Sequence, residues 1–240
     1  MARYGLVNHV FLCADEEYIV VLDLRRDRYF TFDATRTAAL SPELPGWPTP
    51  PPASDNSISA LELTAEEAAA PLLRQGWLLE APAASKAATP VQSSPPRMDL
   101  LAALKVESPT IGARAVVTFV IASVFAKLAL RFLRLERVIR RVAERKTAHP
   151  GARRPVDVAR LRQLVDTFAR LRIFLFSHRG KCLHDSLSLL EFLARHGIFP
   201  DWVFGVRARP FAAHCWVQYE DMVCNDTVEH VTGYIPIMVV

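Results

Sequence analysis

Three residues in the last quarter of the chain have the types and surroundings that nucleophilic catalysis needs. Cys182 follows a glycine and a lysine at the predicted start of a helix, where backbone N–H groups stabilise a thiolate. His214 lies in a predicted strand, and Asp226 ends the next one. A carboxylate that accepts one imidazole N–H leaves the other ring nitrogen free to deprotonate a thiol. These residues therefore predict a cysteine nucleophile with a His–Asp pair.

The turn near Glu220 decides how close His214 and Asp226 can come. Alternate residues of a strand share a face, so His214 should lie on the face of Trp216 and Gln218. A loop with an odd number of residues would place His214 directly opposite Asp226, with their Cβ atoms about 5 Å apart. We therefore expect this hairpin to bring the imidazole and the carboxylate into contact.

An acyl-transfer site also needs hydrogen-bond donors for the oxyanion. The backbone N–H of Cys182, at the start of a helix, is the first donor that we expect. Trp216 and Gln218, on the predicted face of His214, are candidates for the second.

A packed, inert cysteine is the alternative for Cys182. Leucines beside it recur at helical spacing and predict a buried stripe. They are Leu183, Leu187, Leu190 and Leu193. A zinc site is a further alternative, but the paired C-x-x-C-like spacing of such sites is missing. Its ligands would be Cys182, His184, His214 and Cys224. We therefore expect no metal.

The remaining polar and thiol groups near the triad have other predicted roles. His184 is two residues from Cys182, so a helix turns it away, toward the surface or an outer shell of the site. Asp185 could be a carboxylate partner, but its position in the first turn favours an interaction with the helix dipole. Cys215 and Cys224 should face away from His214 and pack in the core.

Composition bounds the class of protein. The chain has 240 residues, 51% of them hydrophobic, and only four scattered cysteines. These features predict a globular protein with free thiols rather than a disulfide scaffold. The N-terminal residues meet an acidic run before an apolar signal segment is complete, which predicts a cytoplasmic location.

Positive charge is concentrated between Lys127 and Lys181. Solvated helix faces are the simplest interpretation, and a docking face for an acidic protein or peptide is the alternative. We expect no nucleic acid as a partner, because the aromatic and glycine patterns of RNA-binding modules are absent. The apolar stretch 113–133 is interrupted at Lys127, short of the roughly 20 residues of a membrane span. It predicts a buried helix and no stable membrane insertion.

The chain begins with a pattern of short strands and turns. Strands are predicted within Leu6–Phe32, followed by a short helix that Asp33 caps. A proline-rich insert precedes a capping box of Thr64 and Glu67, and Gly76 fits the end of that helix. These elements predict a small domain over residues 1–82, ahead of a linker over residues 83–97.

Residues 98–240 form the predicted second domain, with helices first and an antiparallel sheet last, so the fold class is α+β. The expected helices are Leu100–Lys105, Ile111–Glu144, Val156–Leu175 and the helix that starts near Cys182. The expected strands are Trp202–Ala208, Ala212–Tyr219 and Met222–Asp226.

The stretch "GKCLHDSLSLLEFLARHGIFPDWVFGVRARPFAAHCWVQYEDMVCND" resembles the core of lasso peptide maturation B proteins. The likeness covers about Ser177 to Pro236. It implies a transglutaminase-like, papain-like fold and a cysteine peptidase that removes the leader of a ribosomal precursor. The roles that it implies are Cys182 as nucleophile, His214 as base and Asp226 as orienter.

The N-terminal unit resembles the leader-recognition element of such systems, a small winged-helix-like domain. In that family the leader adds as a strand beside the third strand and packs on the last helix, which is β-augmentation. The resemblance therefore implies leader contacts at Arg28, Tyr29, Phe30, Thr31 and Leu72. Ordinary core and edge roles for Tyr29 and Phe30 are the alternative.

Together these features predict a cysteine endopeptidase that binds a lasso precursor and cleaves off its leader. No cofactor is expected on this chain, and the resemblance implies an ATP-dependent macrolactam synthetase as the partner that receives the freed amine. Two alternatives stay open. One is an acyl or amide transferase that uses the same thiolate. The other is a non-catalytic scaffold that presents the precursor to the synthetase.

Overall fold

Helices and sheets are mixed along the chain, as the sequence predicts. The computed structural model describes residues 3–48, 63–80, 85–89, 91–101, 111–149, 155–173 and 182–240. The residues group into two compact units. The first comprises Met1–Gln92 with Val206–Ala212 and Ile235–Met238, and the second comprises Ser93–Gly205, Ala213–Tyr234 and Val239–Val240.

The first unit is built on three antiparallel strands in the order β2-β3-β4. They are β2 (Val10–Asp15), β3 (Tyr18–Asp23) and β4 (Arg28–Asp33). A two-residue turn joins β2 to β3, since Asp15 pairs with Tyr18. Among the described residues β4 pairs with β3 alone, so β4 is an edge strand. A second pair joins β1 (Gly5–Leu6) to β5 (Leu78–Leu79).

Two helices follow β4 in the first unit. A 3-10 helix spans Thr35–Leu40, and the carboxylate of Asp33 accepts the N–H of Thr35 at 2.9 Å. Helix α1 (Ala65–Arg74) begins at the predicted capping box of Thr64 and Glu67. It ends at Arg74, and Gly76, just beyond the C-cap Gln75, has a φ of 71° that suits a residue without Cβ. Most of the proline-rich insert, residues 49–62, lies outside the described residues.

Trp77 anchors the core of the first unit. Its ring lies 4.7 Å from the ring of Phe30 and 5.8 Å from that of Phe32. Its indole N–H donates to the buried carboxylate of Asp23 at 2.9 Å. Alternate residues of a strand share a face, and Phe30 and Phe32 of β4 accordingly both turn toward Trp77.

The second unit contains five α-helices among its described residues. They are α2 (Ala113–Phe132), α3 (Leu135–Ala148), α4 (Val158–Arg172), α5 (Cys182–Ala194) and α6 (Val228–Val231). The helical region predicted over Ile111–Glu144 is therefore two helices, with a break at extended residues 133–134. Most of the helix predicted over Leu100–Lys105 falls on residues 102–110, outside the described part.

Helix α5 is central to the second unit. The predicted stripe is confirmed at Leu187, Leu190 and Leu193, whereas Leu183 is half-buried. Burial extends round the whole helix, because Ser186, Ser188 and Glu191 are also covered. The helix therefore has no solvent face over this stretch, and its first residue is held by packing that continues along its length.

Helix α2 does not fit the prediction of a buried core helix. One face packs on α5 and the opposite face is exposed to solvent. Among the described residues, α2 is the one helix that is long enough and apolar enough to cross a membrane, judged by length and composition alone. In its most apolar window, 28% of the residues are buried.

The largest sheet among the described residues has five strands, in the order β10-β7-β8-β9-β6. Strands β7 (Asp201–Arg207), β8 (Ala212–Tyr219) and β9 (Met222–Val223) lie where the sequence predicts them, although β9 is shorter. Two outer strands were not predicted: β6 (Met98–Asp99), parallel to β9, and β10 (Ile235–Val239). The end of the predicted linker also joins the second unit, since Ser94 accepts a hydrogen bond from Gln218 at 2.7 Å.

Candidate active site

Cys182 is the first described residue of α5. Its side chain is half-buried. The preceding glycine and lysine, at residues 180 and 181, lie outside the described part. The packed α5 fixes the Cα of Cys182, while its place at the first turn leaves the sulfur beside strand β8.

His214 and Asp226 are in direct contact. The ring Nε2 of His214 lies 2.5 Å from Oδ2 of Asp226, which leaves Nδ1 as the nitrogen available to a thiol. The predicted register is wrong, however. The turn has two residues and Tyr219 pairs with Met222, so the ladder does not place His214 opposite Asp226. Strand β9 ends at Val223, and the chain then turns to bring the carboxylate to the ring.

The pKa values of the two reacting side chains move in opposite directions. Hydrogen bonds from the side chain of Cys215 and from His214 lower the pKa of Cys182 to about 4, although burial opposes this. Burial lowers the pKa of His214, but hydrogen bonds to Asp226 and Cys182 outweigh it and raise the value to about 9. Between these values the pair is a thiolate and an imidazolium.

Cys215 is a neighbour of the nucleophile that the sequence did not predict. It is 3% exposed, so the expected core packing is confirmed. The side chain and the backbone N–H of Cys215 are hydrogen-bonded to the sulfur of Cys182. The side-chain bond to Cys182 and burial raise the pKa of Cys215 well above the ordinary thiol value. Of the two thiols, Cys182 is therefore the one that is present as a thiolate at neutral pH.

Asn225 ties the strand of His214 to the helix of Cys182. Its amide oxygen accepts the N–H of Val217 at 2.8 Å, beyond the end of the β8–β9 ladder. Its amide N–H groups donate to Asp185 at 2.9 Å and to Ser186 at 3.1 Å, both in α5. The side chain of Asn225 therefore links β8, which carries His214, to α5, which carries Cys182.

Asp185 is part of the same network rather than a catalytic carboxylate. Arg172 donates to it at 3.0 Å, in addition to the bond from Asn225. Burial raises the pKa of Asp185, while Arg172 and Asn225 oppose that shift. The contacts with Arg172 and Asn225 explain its position better than the predicted role at the helix dipole.

His230 and Tyr234 complete the surroundings of the His–Asp pair, and neither was predicted. The Nδ1 of His230 lies 3.0 Å from both carboxylate oxygens of Asp226. The ring of His214 lies 4.7 Å from that of His230 and 5.3 Å from that of Tyr234. A signal was present in the sequence, because His230 follows Asp226 at the spacing of one helical turn.

Gly205 supports the ring of His214 indirectly. A Cβ at this position would lie 2.8 Å from the ring of Trp216 and 2.9 Å from the Cβ of Tyr234. Trp216 in turn stacks on His214, with ring centroids 6.1 Å apart. The missing side chain therefore makes room for two of the aromatic rings that flank the imidazole.

The candidates for the second oxyanion donor are already engaged. The indole N–H of Trp216 donates to Gln218 at 2.9 Å. The amide N–H groups of Gln218 donate to the carbonyls of Ser94 and Glu220, both at 2.7 Å, and the residue is 2% exposed. Neither side chain is free to reach a substrate, so that prediction is wrong.

Residues 123–239 match the transglutaminase-like superfamily. The C-terminal half of the chain is a transglutaminase-like domain. Domains of this kind are commonly cysteine hydrolases or transferases. The match includes Cys182, His214 and Asp226, together with four of the five strands of the sheet. Comparison with curated proteins and with solved structures gave no match.

The zinc ligands considered from the sequence do not come together in the transglutaminase-like domain. The ring Nε2 of His184 lies 3.2 Å from the carbonyl of Ser123 in α2, and Cys224 is buried. A different group could hold a metal ion, since ligand atoms of His214, Asp226 and His230 lie within 4.8 Å of one another. In the structure those atoms are joined by hydrogen bonds instead.

Outside the transglutaminase-like domain, four of the five predicted leader contacts lie on β4. Arg28 and Thr31 are exposed. Tyr29 is half-buried, with its ring 5.6 Å from that of Phe211 in the same unit, and Phe30 packs on Trp77. The fifth, Leu72, is 2% exposed and belongs to the core of the unit. It is therefore not accessible to a peptide in this conformation.

Proposed function

We propose that this protein is a cysteine endopeptidase. The observation that carries the proposal is the set of hydrogen bonds that links Cys182, His214 and Asp226. With pKa values of about 4 and about 9, the thiolate and the imidazolium both exist at neutral pH. Cysteine peptidases need this pair before the substrate arrives.

The reaction follows from the positions of the three side chains. The thiolate of Cys182 attacks the scissile carbonyl, and the backbone N–H of Cys182 is the proposed first oxyanion donor. The imidazolium of His214 gives its proton to the departing amine, which leaves an acyl-enzyme. The neutral imidazole then takes a proton from water, and hydroxide releases the acid. Asp226 holds the tautomer and stabilises the imidazolium.

The substrate that we propose is the precursor of a lasso peptide, cut between leader and core. The residues around Cys182 and His214 that resemble lasso maturation B proteins support this assignment. The first unit supports it as well, because three strands followed by helices resemble a winged-helix-like leader-recognition element. The amine released by the cut would pass to an ATP-dependent macrolactam synthetase.

The first experiment is incubation of the purified chain with precursor, followed by mass spectrometry of the products. We expect leader and core peptides from the wild type and no cleavage by Cys182→Ala. The matched control is Cys13→Ala, which removes a buried thiol of the first unit and should retain cleavage. Cleavage by a well-folded Cys182→Ala variant would exclude the nucleophile and with it the proposed mechanism.

The leader site that we propose is the outer edge of β4, which pairs with β3 alone among the described residues. A peptide strand there would bind by backbone hydrogen bonds, with Arg28, Tyr29 and Thr31 beside it. We expect Arg28→Glu and Tyr29→Ala to weaken leader binding in fluorescence anisotropy. The control is Arg36→Glu, an equally exposed charge on the 3-10 helix. Equal loss in the control would point to general electrostatics instead.

An acyl or amide transferase is the second candidate, because the superfamily contains both classes and the acyl-enzyme is common to them. The two differ in the group that resolves the thioester. Cleavage in the presence of a primary amine separates them: a hydrolase gives the acid, whereas a transferase gives the amide as the main product. Absence of both products would leave the scaffold alternative.

A further inference from the structure

The outer face of α2 is apolar and exposed. Thirteen large hydrophobic residues are exposed in the described part of the chain, and eight of them lie on this one helix. They are Val116, Val117, Val120, Ile121, Val124, Phe125, Leu128 and Phe132. Scattered exposed apolar residues are ordinary, but a continuous row along 20 residues indicates a surface that something covers.

The inner face of α2 is committed to the transglutaminase-like domain. Phe119, Ala122 and Ala126 are buried, and Phe119 packs edge-on against Phe168 at 5.3 Å. His184 of α5 contacts the carbonyl of Ser123. Because the domain would lose this packing if α2 spanned a bilayer, the exposed face can only meet a membrane by lying along it.

Charge along the helix is distributed as a membrane surface requires. Residues 115–126 are uncharged, over about 18 Å of helix. Arg114 precedes this stretch, and Lys127 and Arg131 follow it; all three are exposed, and α2 contains no acidic residue. Four more exposed arginines belong to the next turn and to α3. They are Arg134, Arg137, Arg140 and Arg141.

We propose that the outer face of α2 binds the surface of a membrane that contains anionic lipids. The apolar row would enter the boundary between headgroups and acyl chains, and the flanking cations would meet lipid phosphates. A protein partner fits less well. Protein interfaces carry about one hydrogen bond per 100–200 Å², and the large side chains of this row offer no donor or acceptor.

A cavity beside the helix extends the same surface. It measures about 170 Å³ and lies between α2, α3 and α5. Phe125 of the exposed row lines it, together with Ala129 and Leu133. Arg141 contributes a cationic group, whereas Arg145 is paired with Glu191, which also lines the cavity, at 2.8 Å. An apolar hollow bordered by the guanidinium group of Arg141 suits the junction of an acyl chain and its phosphate.

This proposal does not depend on the substrate of the enzyme. It is tested by flotation of the full chain with vesicles, either neutral phosphatidylcholine or a 3:1 mixture with phosphatidylglycerol. We expect the wild type to float with the anionic vesicles, and its binding to fall as salt increases. The variant Ile121→Gln, Val124→Gln, Leu128→Gln should bind more than about tenfold more weakly, since three apolar side chains are lost from the contact.

The matched control is Val158→Gln with Ile173→Gln, which removes exposed apolar residues at the two ends of α4 and should bind as the wild type does. Circular dichroism and thermal unfolding check that each variant is folded. If the triple variant does not fold, Val117→Gln with Val120→Gln replaces it. A wild type that stays with the soluble fraction overturns the proposal, as does equal loss in the control. The proposal is also overturned if light scattering shows a wild-type dimer that the triple variant does not form, because a second copy of the chain then covers the face.

Discussion

His214 and Asp226 are joined by a hydrogen bond of 2.5 Å although they are not partners in the β8–β9 ladder. The contact exists because β9 stops at Val223 and the chain turns back toward the ring. Asn225 occupies the place where the next ladder bond would form. The carboxylate is thus held by the end of a strand, and its substitution can be tested without breaking the sheet.

The variant Asp226→Asn should cleave far more slowly than the wild type. The amide can still bond to the ring but selects the wrong tautomer, a change that costs about 10⁴ in rate in a serine protease. His214→Ala should be affected as much or more, because it removes the base itself. The measurement is kcat for precursor cleavage, with Glu229→Gln on the same short helix as the control. Unchanged kinetics for Asp226→Asn would mean that another group orients the ring.

Alkylation of Cys182 by iodoacetamide should hardly depend on pH around neutrality. Its lowered pKa means that the thiolate is present above about pH 4 and is lost as the pH falls through that value. Peptide cleavage needs the imidazolium as well, so it should also decline above about pH 9. In His214→Ala the alkylation midpoint should move up toward the ordinary thiol range. A wild-type midpoint near 8.5 would contradict the resting ion pair.

Replacement of His230 should reduce activity less than replacement of Asp226. His230→Phe removes one hydrogen bond from the carboxylate but leaves those from His214 and the backbone of Thr227. We expect kcat to fall at least about tenfold, since a hydrogen bond to a charged group contributes about 1.5–3 kcal/mol. His230→Gln keeps a donor and should recover most of the rate. Equal activity in all three proteins would show that His230 does not position Asp226.

Gly205→Ala should lower both activity and stability. The added methyl group meets Trp216 and Tyr234 at under 3 Å, and overpacking of this kind costs about 1–3 kcal/mol. Movement of either ring changes the wall beside His214, so kcat should fall while leader binding stays unchanged. Thermal unfolding and cleavage are the measurements. Gly112→Ala is the control, because a Cβ at position 112 meets no atom within 4 Å.

The sequence was most informative where the pattern was local. The bounds of β8 and the capping box of α1 follow from spacing and from residue types within one element. Association of His214 with Asp226 was also predicted, although the register behind it was wrong. The error arose because β9 was taken to continue to Asp226, whereas Asn225 ends the pairing with its side chain.

Features that depend on distant parts of the chain were missed. Strand β6 has two residues and pairs with β9, more than 120 residues later, so no periodicity marks it. Gln218 was a plausible oxyanion donor until its amide was found bound to Ser94, in a segment with the composition of a linker. The exposed face of α2 could not be told from a buried one, because a helix that is apolar all round gives the same pattern in both cases.

The side chain of Asn225 also sets the spacing between strand β8 and helix α5. Its amide bonds to Val217 of β8 and to Asp185 of α5, just after β9 has ended. This arrangement places the carboxylate of Asp226 at the ring of His214 and the first turn of α5 beside β8. The distance between His214 and Asp226 therefore depends on the number of residues that follow the turn at Glu220. Insertion of one residue after Val223 would keep His214 and Asp226 in the sequence and still separate them. The length of this short segment matters to the site as much as its composition.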